Sequence, residues 1–167
     1  MRSKGFTLIE IMIAITLLTI GIMASYAVIT KVVSLTYLNS FRFTASRLAQ
    51  EGMELVSNTR DTNWLNGNDW DNGLTNCISG CEIDYNDPSF SPYLGEYLKI
   101  DSDGFYNYED GDDSRFKRKI IITNVGADEL KIKVEVRWPR LGSSSGVLIV
   151  EENLYNWRSD EKRFYFS

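Results

Sequence analysis

Apolar residues are concentrated at the start of the chain. From Phe6 to Thr30 the sequence contains 25 residues with a single formal charge, on Glu10. A helix needs about 20 residues to cross the hydrocarbon core of a bilayer, so this run is long enough to span a membrane. The pattern predicts a membrane-spanning helix over residues 6–30, preceded by a short basic segment at residues 1–5.

The pattern changes between Lys31 and Ser57, where apolar residues occupy only one side of a helix. This stretch contains no proline, and its apolar positions recur every three or four residues. They are Leu38, Phe41, Ala45, Leu48, Gly52 and Leu55. This spacing is typical of an amphipathic helix. We therefore predict one helix from residue 6 to about residue 57, roughly 75–80 Å long at 1.5 Å per residue, in which residues 31–57 form the amphipathic half.

The last third of the chain shows the alternation of a half-buried β-sheet. Apolar and charged residues alternate from Leu130 to Trp138, and residues 116–125 and 146–155 are predicted to form neighbouring strands. An antiparallel sheet over residues 116–167 would pack its apolar face on the stripe of the helix. The predicted fold class is α+β, with a long N-terminal helix packed on a C-terminal antiparallel sheet.

Residues 58–115 are rich in turn-forming residues, and they predict a loop region with only short strands. Within it, the segment Trp64–Tyr97 places two tryptophans among Asn and Asp side chains. Two interpretations stay open: the aromatic rings fasten the loop to the sheet, or they form a carbohydrate-binding surface. A further Gly/Ser-rich loop is expected at residues 142–146. Together, residues 58–167 form a head that follows the helix.

Glu10 is the unusual residue of the apolar run. An ionisable side chain inside a membrane helix costs a few kcal/mol on insertion scales, and it normally has a partner. No Lys or Arg lies within helical reach inside the run, so we expect the partner to be on another molecule. Arg2 and Lys4 precede the run, and positive charge at this position holds an N-terminus in the cytoplasm. The head is therefore expected to be exported.

The start of the chain resembles the type IV prepilin signature. In Lys4–Glu10 (KGFTLIE), a basic leader ends in glycine, phenylalanine follows, and glutamate stands at the fifth position after the glycine. The resemblance implies that a prepilin peptidase removes residues 1–5 by cutting between Gly5 and Phe6. It also implies N-methylation of the new Phe6 amine and a role for Glu10 in assembly, where it pairs with the N-terminal amine of a neighbouring subunit.

Two further details bear on the position within this family. Residues 48–64 resemble minor pilins and pseudopilins of the PilV kind, and Ala27 stands where major pilins often have proline. The resemblance implies a pilin-like fold and a structural subunit, a minor pilin or pseudopilin, of a type IV pilus-like or type II secretion filament. Two alternatives stay open: a tip adhesin that binds through the Trp64–Tyr97 loop, and a bitopic membrane anchor that is never cleaved.

The resemblance also implies partners and a location. The partners are other pilin subunits, the prepilin peptidase, an inner-membrane assembly platform and the membrane itself. Before assembly the chain is expected to be a single-pass membrane protein with a cytoplasmic N-terminus and an exported head. After assembly it is expected in an extracellular or periplasmic filament.

Composition excludes several other functions. The net charge is −5 at pH 7, and an acidic protein is poorly suited to coat nucleic acid, so no direct nucleic-acid partner is expected. The chain has no histidine, which removes the commonest general base and the commonest metal ligand. No nucleophile–base arrangement and no phosphate-binding glycine loop stands out. We therefore expect that the protein is not an enzyme.

The two cysteines, Cys77 and Cys81, lie close together in a region rich in Gly and Asn. Two thiols make a poor zinc site, and their spacing is not that of a Cys-x-x-Cys motif. In an exported head they are expected to form a local disulfide, with two free thiols as the alternative.

Oxygen-bearing side chains are concentrated between residues 101 and 113. Asp101, Asp103, Asn107 and Glu109 could contribute to a calcium site, which needs six to eight oxygen ligands. The alternative is a solvated acidic turn, because the glycine of this segment does not stand where a calcium-binding EF-hand loop requires it. Apart from calcium, no cofactor is expected.

Overall fold

The computed structural model describes residues 5–139 and 145–158. Our expectations for residues 1–4, for most of the 142–146 loop and for residues 159–167 lie outside this range. The chain forms two compact units, residues 1–41 and 42–167. Helix α1 (Leu8–Leu65) begins in the first unit and ends in the second.

In the described part of the second unit, a short 3₁₀ helix at Thr75–Cys77 and eight strands follow α1. The strands are β1 (Cys81–Glu82), β2 (Ser91–Pro92), β3 (Lys99–Ile100), β4 (Tyr106–Asn107), β5 (Asp112–Asp113), β6 (Lys117–Gly126), β7 (Glu129–Pro139) and β8 (Ser145–Tyr155). The four strands between residues 91 and 113, like β1, have two residues each. These five short strands lie between the end of α1 and the long strand β6.

The main sheet has five antiparallel strands in the order β2-β1-β6-β7-β8. In β7 the apolar side chains at even positions from Leu130 to Trp138 are all buried, while Lys131 and Lys133 are half-buried on the opposite face. Val134 pairs with Ile120 of β6 and with Val150 of β8. Alternation with a period of two therefore places one apolar face of the sheet against the helix, which confirms the predicted α+β fold.

The helix face that packs on the sheet contains small residues. Ala45, Leu48 and Gly52 are buried, as the stripe predicted. A Cβ atom added to Gly52 would lie 3.2 Å from a methyl group of Val134, so the absence of a side chain lets the helix and the sheet approach closely. Towards its end the buried face shifts by one position, because Val56 is buried and Leu55 is only half-buried.

The helix continues eight residues past the predicted end at Ser57 and ends at Leu65. Its end is a Schellman motif: the Asn68 N–H donates to the Asn63 carbonyl at 2.9 Å, and the Gly67 N–H donates to the Trp64 carbonyl at 3.2 Å. Gly67 has a φ of 71°, a conformation that glycine adopts without strain. The Asn66-Gly67 pair, which lies in the segment we predicted to be loop, is thus the signal that ends the helix.

A buried arginine connects the helix, the sheet and the loop region. Arg118 on β6 is fully buried, and it donates to the Leu48 carbonyl of α1 at 3.2 Å and to the Ile83 carbonyl at 2.6 Å. Its Nη1 lies 3.1 Å from a carboxylate oxygen of Glu51. The Tyr108 hydroxyl donates to the Arg118 carbonyl at 3.2 Å, and burial raises the pKa of Tyr108. The Arg118 side chain therefore connects β6 to α1 and to the segment that contains Ile83.

Candidate functional site

The Gly5–Phe6 bond lies outside regular structure. Residues 5–7 precede the helix and are exposed, and the Phe6 side chain is 79% exposed. A peptidase must take its substrate in an accessible, non-helical conformation, because helical backbone carbonyls and N–H groups are already paired. The resemblance implies cleavage between Gly5 and Phe6. This bond therefore lies in a segment that is accessible to a peptidase.

Thr7 is the N-cap of α1. Its carbonyl accepts from the Glu10 N–H at 3.1 Å and from the Ile11 N–H at 3.3 Å, and its hydroxyl accepts from the Glu10 N–H at 3.3 Å. Thr-x-x-Glu is also the sequence of a capping box. This role is a local one that our sequence interpretation missed, although the pattern was present. A chain cut after Gly5 keeps this cap.

Glu10 lies in the first turn of the helix. Negative charge is favourable there, because unpaired N–H groups and the helix dipole give the N-terminus a partial positive charge. Within residues 5–139 and 145–158, no basic side chain forms an ion pair with Glu10. The expectation that the ionic partner of Glu10 lies on another molecule stays a prediction.

The first unit exposes apolar side chains on all sides. Every large hydrophobic residue from Phe6 to Leu35 is at least half exposed. The mean hydropathy of an 18-residue window reaches 2.2, so α1 is long and apolar enough to cross a membrane. Water is an unfavourable solvent for such a surface.

Several hydroxyl groups in the first unit are satisfied within the helix itself. The Thr16 hydroxyl donates to the Met12 carbonyl at 2.8 Å, and the Ser25 hydroxyl donates to the Gly21 carbonyl at 2.9 Å. Thr30 and Thr36 make equivalent bonds. These hydroxyls need no water, which suits a helix surrounded by lipid or by other apolar helices.

The N-terminal sequence matches a family model. Residues 1–26 match the prokaryotic N-terminal methylation motif. The motif indicates a prepilin, and it supports a type IV pilin-like subunit that is processed at its N-terminus. Neither a curated protein nor a solved structure shows a significant match to the chain.

The methylation motif and the fold agree with each other. The motif ends inside the apolar part of α1, and the apolar helix is consistent with a membrane-anchored precursor. A pilin-type motif points to a structural protein rather than an enzyme, and to assembly with other pilins after processing by a prepilin peptidase.

The two tryptophans of the Trp64–Tyr97 loop are engaged in packing. Trp70 is 8% exposed. The Trp64 Nε1–H donates to the Asn156 side chain at 3.2 Å, and its ring lies 4.8 Å from the ring of Trp157 and under the guanidinium of Arg60. Trp64 therefore connects the end of the helix to residues 156 and 157, and Trp70 is buried; whether this region binds carbohydrate through the two rings stays a prediction.

Cys77 and Cys81 are joined by a disulfide bond in the second unit. Both residues are buried. The bond connects the end of the 3₁₀ helix to β1, where Cys81 pairs with Ile120 of the main sheet. A short cross-link of this kind fixes the local path of the loop on the sheet, and it suits an oxidising compartment.

Two of the four calcium candidates, Asp101 and Asn107, accept backbone hydrogen bonds. Oδ1 of Asp101 accepts from the N–H groups of Asp103 and Phe105, both at 2.9 Å. Oδ1 of Asn107 accepts from the N–H groups of Glu109 and Asp110. The Phe105 bond is the largest cause that lowers the pKa of the Asp101 carboxyl. These bonds stabilise turns without a metal.

No group of three or more acidic or Cys side chains within the described part of the chain is arranged to hold a metal ion. The hydrogen bonds of Asp101 and Asn107 account for the choice of these residue types, since short polar side chains stabilise turns. Calcium binding at Asp101, Asp103, Asn107 and Glu109 stays a prediction.

Proposed function

We propose that this chain is a minor pilin or pseudopilin, a structural subunit of a type IV pilus-like or type II secretion filament. The observation that carries the proposal is the first unit: a methylation motif extends into a helix whose apolar residues are exposed on every side. A surface of this kind is stable in lipid and equally stable among identical helices in a filament core. The helix thus serves as a membrane anchor and later as an assembly element.

Processing prepares the helix for assembly. Removal of residues 1–5 by the prepilin peptidase creates a charged amine on Phe6, which methylation leaves charged. In a filament core this amine and the Glu10 carboxylate are both removed from water, and each needs an opposite charge. Pairing between the amine of one subunit and Glu10 of the next satisfies both groups and fixes the axial position of the subunits.

Location and partners follow from this role. The precursor spans the inner membrane once, with residues 1–5 in the cytoplasm and the second unit exported. Other pilin subunits, the peptidase and an assembly platform in the membrane are its partners. The disulfide between Cys77 and Cys81 supports an exported head, because such bonds persist in oxidising compartments.

The intact mass and the N-terminal sequence of the protein from the membranes of its own host test this proposal. We expect a chain that begins at Phe6 and is heavier by one methyl group at its amine. A chain that still begins at Met1 in the presence of an active prepilin peptidase would refute the proposal and leave the uncleaved bitopic anchor.

Replacing Glu10 by alanine is expected to separate cleavage from assembly. Cleavage should proceed normally, because the change lies five residues beyond Gly5, but filament incorporation should fall by about tenfold or more, as expected for the loss of a charge pair removed from water. Incorporation is measured as the fraction of subunit in sheared filaments.

The matched control for this substitution is Glu54→Ala, which removes an exposed carboxylate from the same helix in the second unit. The control should leave incorporation unchanged. Normal incorporation of Glu10→Ala would show that Glu10 serves only the first turn of the helix, and the pairing of subunits through this residue would have to be abandoned.

A further inference from the structure

The second unit contains a cavity of about 580 Å³ beside the end of α1. Its walls come from α1, from the turn and 3₁₀ helix that follow, from residues 79–81 and from residues 88–92. This volume is within the usual range for small-molecule sites, about 300–1,000 Å³. The cavity is separate from the N-terminal motif, which belongs to the first unit.

The lining of the cavity carries no charge, although a quarter of the residues in the chain are Asp, Glu, Lys or Arg. Its polar groups are neutral amides and hydroxyls. They belong to Thr59, Asn63, Asn72, Asn76, Ser79 and Ser89. The half-buried ring of Phe90 and two prolines supply the apolar part of the wall.

Four of these polar side chains have unused hydrogen-bonding capacity. The side chains of Asn72, Asn76, Ser79 and Ser89 are exposed, and they make no hydrogen bond to another residue of segments 5–139 and 145–158. Asn63 differs, because its amide donates to the Trp70 carbonyl at 3.2 Å and to the Asn72 carbonyl at 2.8 Å. The Asn63 amide thus fixes the wall of the cavity, while the four other polar side chains are available to a ligand.

The backbone around the cavity is constrained. The disulfide between Cys77 and Cys81 closes one wall, and Gly73 and Gly80 adopt φ values of 80° and 109°. Binding to a wall already held in place requires less ordering of side chains and loops than binding to a mobile segment.

We propose that this cavity binds a neutral carbohydrate. A charged ligand would lose water there without gaining an opposite charge, and a fully apolar ligand would leave the amides and hydroxyls unpaired. A sugar ring offers hydroxyls for Asn72, Asn76, Ser79 and Ser89, and a C–H face for the ring of Phe90. The binding site lies inside the Trp64–Tyr97 loop, but it uses the amides and Phe90 rather than the two tryptophans.

The test uses the full chain in dodecylphosphocholine micelles, because this detergent has no sugar headgroup. The ¹⁵N-labelled protein is titrated separately with the methyl glycosides of mannose, galactose and N-acetylglucosamine. We expect saturable shifts of the Asn72 and Asn76 side-chain amides with at least one glycoside, at a Kd of about 1 mM. The absence of saturable shifts with all three glycosides up to about 50 mM would overturn the proposal.

Variants test whether the glycoside binds in this cavity. The double variant Asn76→Ala with Ser89→Ala is expected to weaken binding by about tenfold, through the loss of two hydrogen bonds. The control variant Asn68→Ala changes an exposed asparagine outside the cavity lining. It should bind the glycoside with the affinity of the wild type. Unchanged affinity of the double variant, or shifts confined to the Trp64–Trp157 contact, would refute the site.

This inference does not depend on the filament role. Binding is measured on purified chain whether or not residues 1–5 have been removed. A chain that is cut after Gly5 but binds none of the glycosides refutes the carbohydrate site alone. A chain that binds a glycoside but is never cut refutes the filament role alone.

Discussion

The variant Gly5→Val is expected to accumulate as the full-length precursor, with cleavage slowed by at least about a hundredfold. Gly5 has no Cβ atom and lies in exposed, non-helical chain directly before the bond to Phe6. A branched side chain at this residue would meet the wall of the peptidase next to the reacting carbonyl, and a displacement of about 1 Å is enough to cause such a loss. Pulse labelling followed by intact-mass measurement distinguishes precursor from mature chain.

The matched control for this prediction is Gly21→Val, which places the same side chain inside α1. A Cβ atom at Gly21 meets nothing within 4 Å, so this variant should be cut at the rate of the wild type. Rapid removal of residues 1–5 from Gly5→Val would show that the peptidase does not require glycine here, and the prepilin interpretation of this residue would be wrong.

The variant Arg118→Ala is expected to destabilise the second unit by about 3–5 kcal/mol. The carbonyls of Leu48 and Ile83 would lose their donors, and the Glu51 carboxylate would lose its only ion pair among the described residues. The removed side chain would also leave a cavity. Chemical unfolding of the full chain in micelles, followed by tryptophan fluorescence, measures the change.

Lys131→Ala is the matched control for Arg118→Ala, because Lys131 lies on the neighbouring strand β7 with its side chain 44% exposed. It forms an ion pair with Glu151, whose side chain is 43% exposed, and exposed pairs of this kind contribute less than about 1 kcal/mol. If both variants lost the same stability, the two hydrogen bonds and the ion pair of Arg118 would not be what connects the helix to the sheet.

The sequence predicted the elements that rest on periodicity. The alternation from Leu130 to Trp138 and the spacing of Ala45, Leu48 and Gly52 each follow directly from which side chains face the interior. The bounds of β7 and β8 are within one residue of the predicted ones. Features of this kind depend on residues that are close together in the sequence, so they can be predicted from one sequence alone.

The sequence did not predict features that depend on distant residues. The burial of Arg118 depends on the carbonyls of Leu48 and Ile83, 70 and 35 positions away, which accept hydrogen bonds from its guanidinium. Charged side chains are rarely buried without such partners. The neutral cavity, likewise, assembles side chains from four segments, and none of these segments is unusual alone.

The burial of the helix face by β7 has a consequence for the order in which the protein is made. Val56 and Trp138 are separated by 82 positions (138 − 56), so synthesis at about 5–20 residues per second takes roughly 4 to 16 s between them. During this interval β7 is incomplete and does not yet cover Ala45, Leu48 and Val56. A nascent chain that is paused in this interval is exposed to aggregation with other nascent chains, and a helper protein that holds unfolded segments would act on the helix rather than on the sheet.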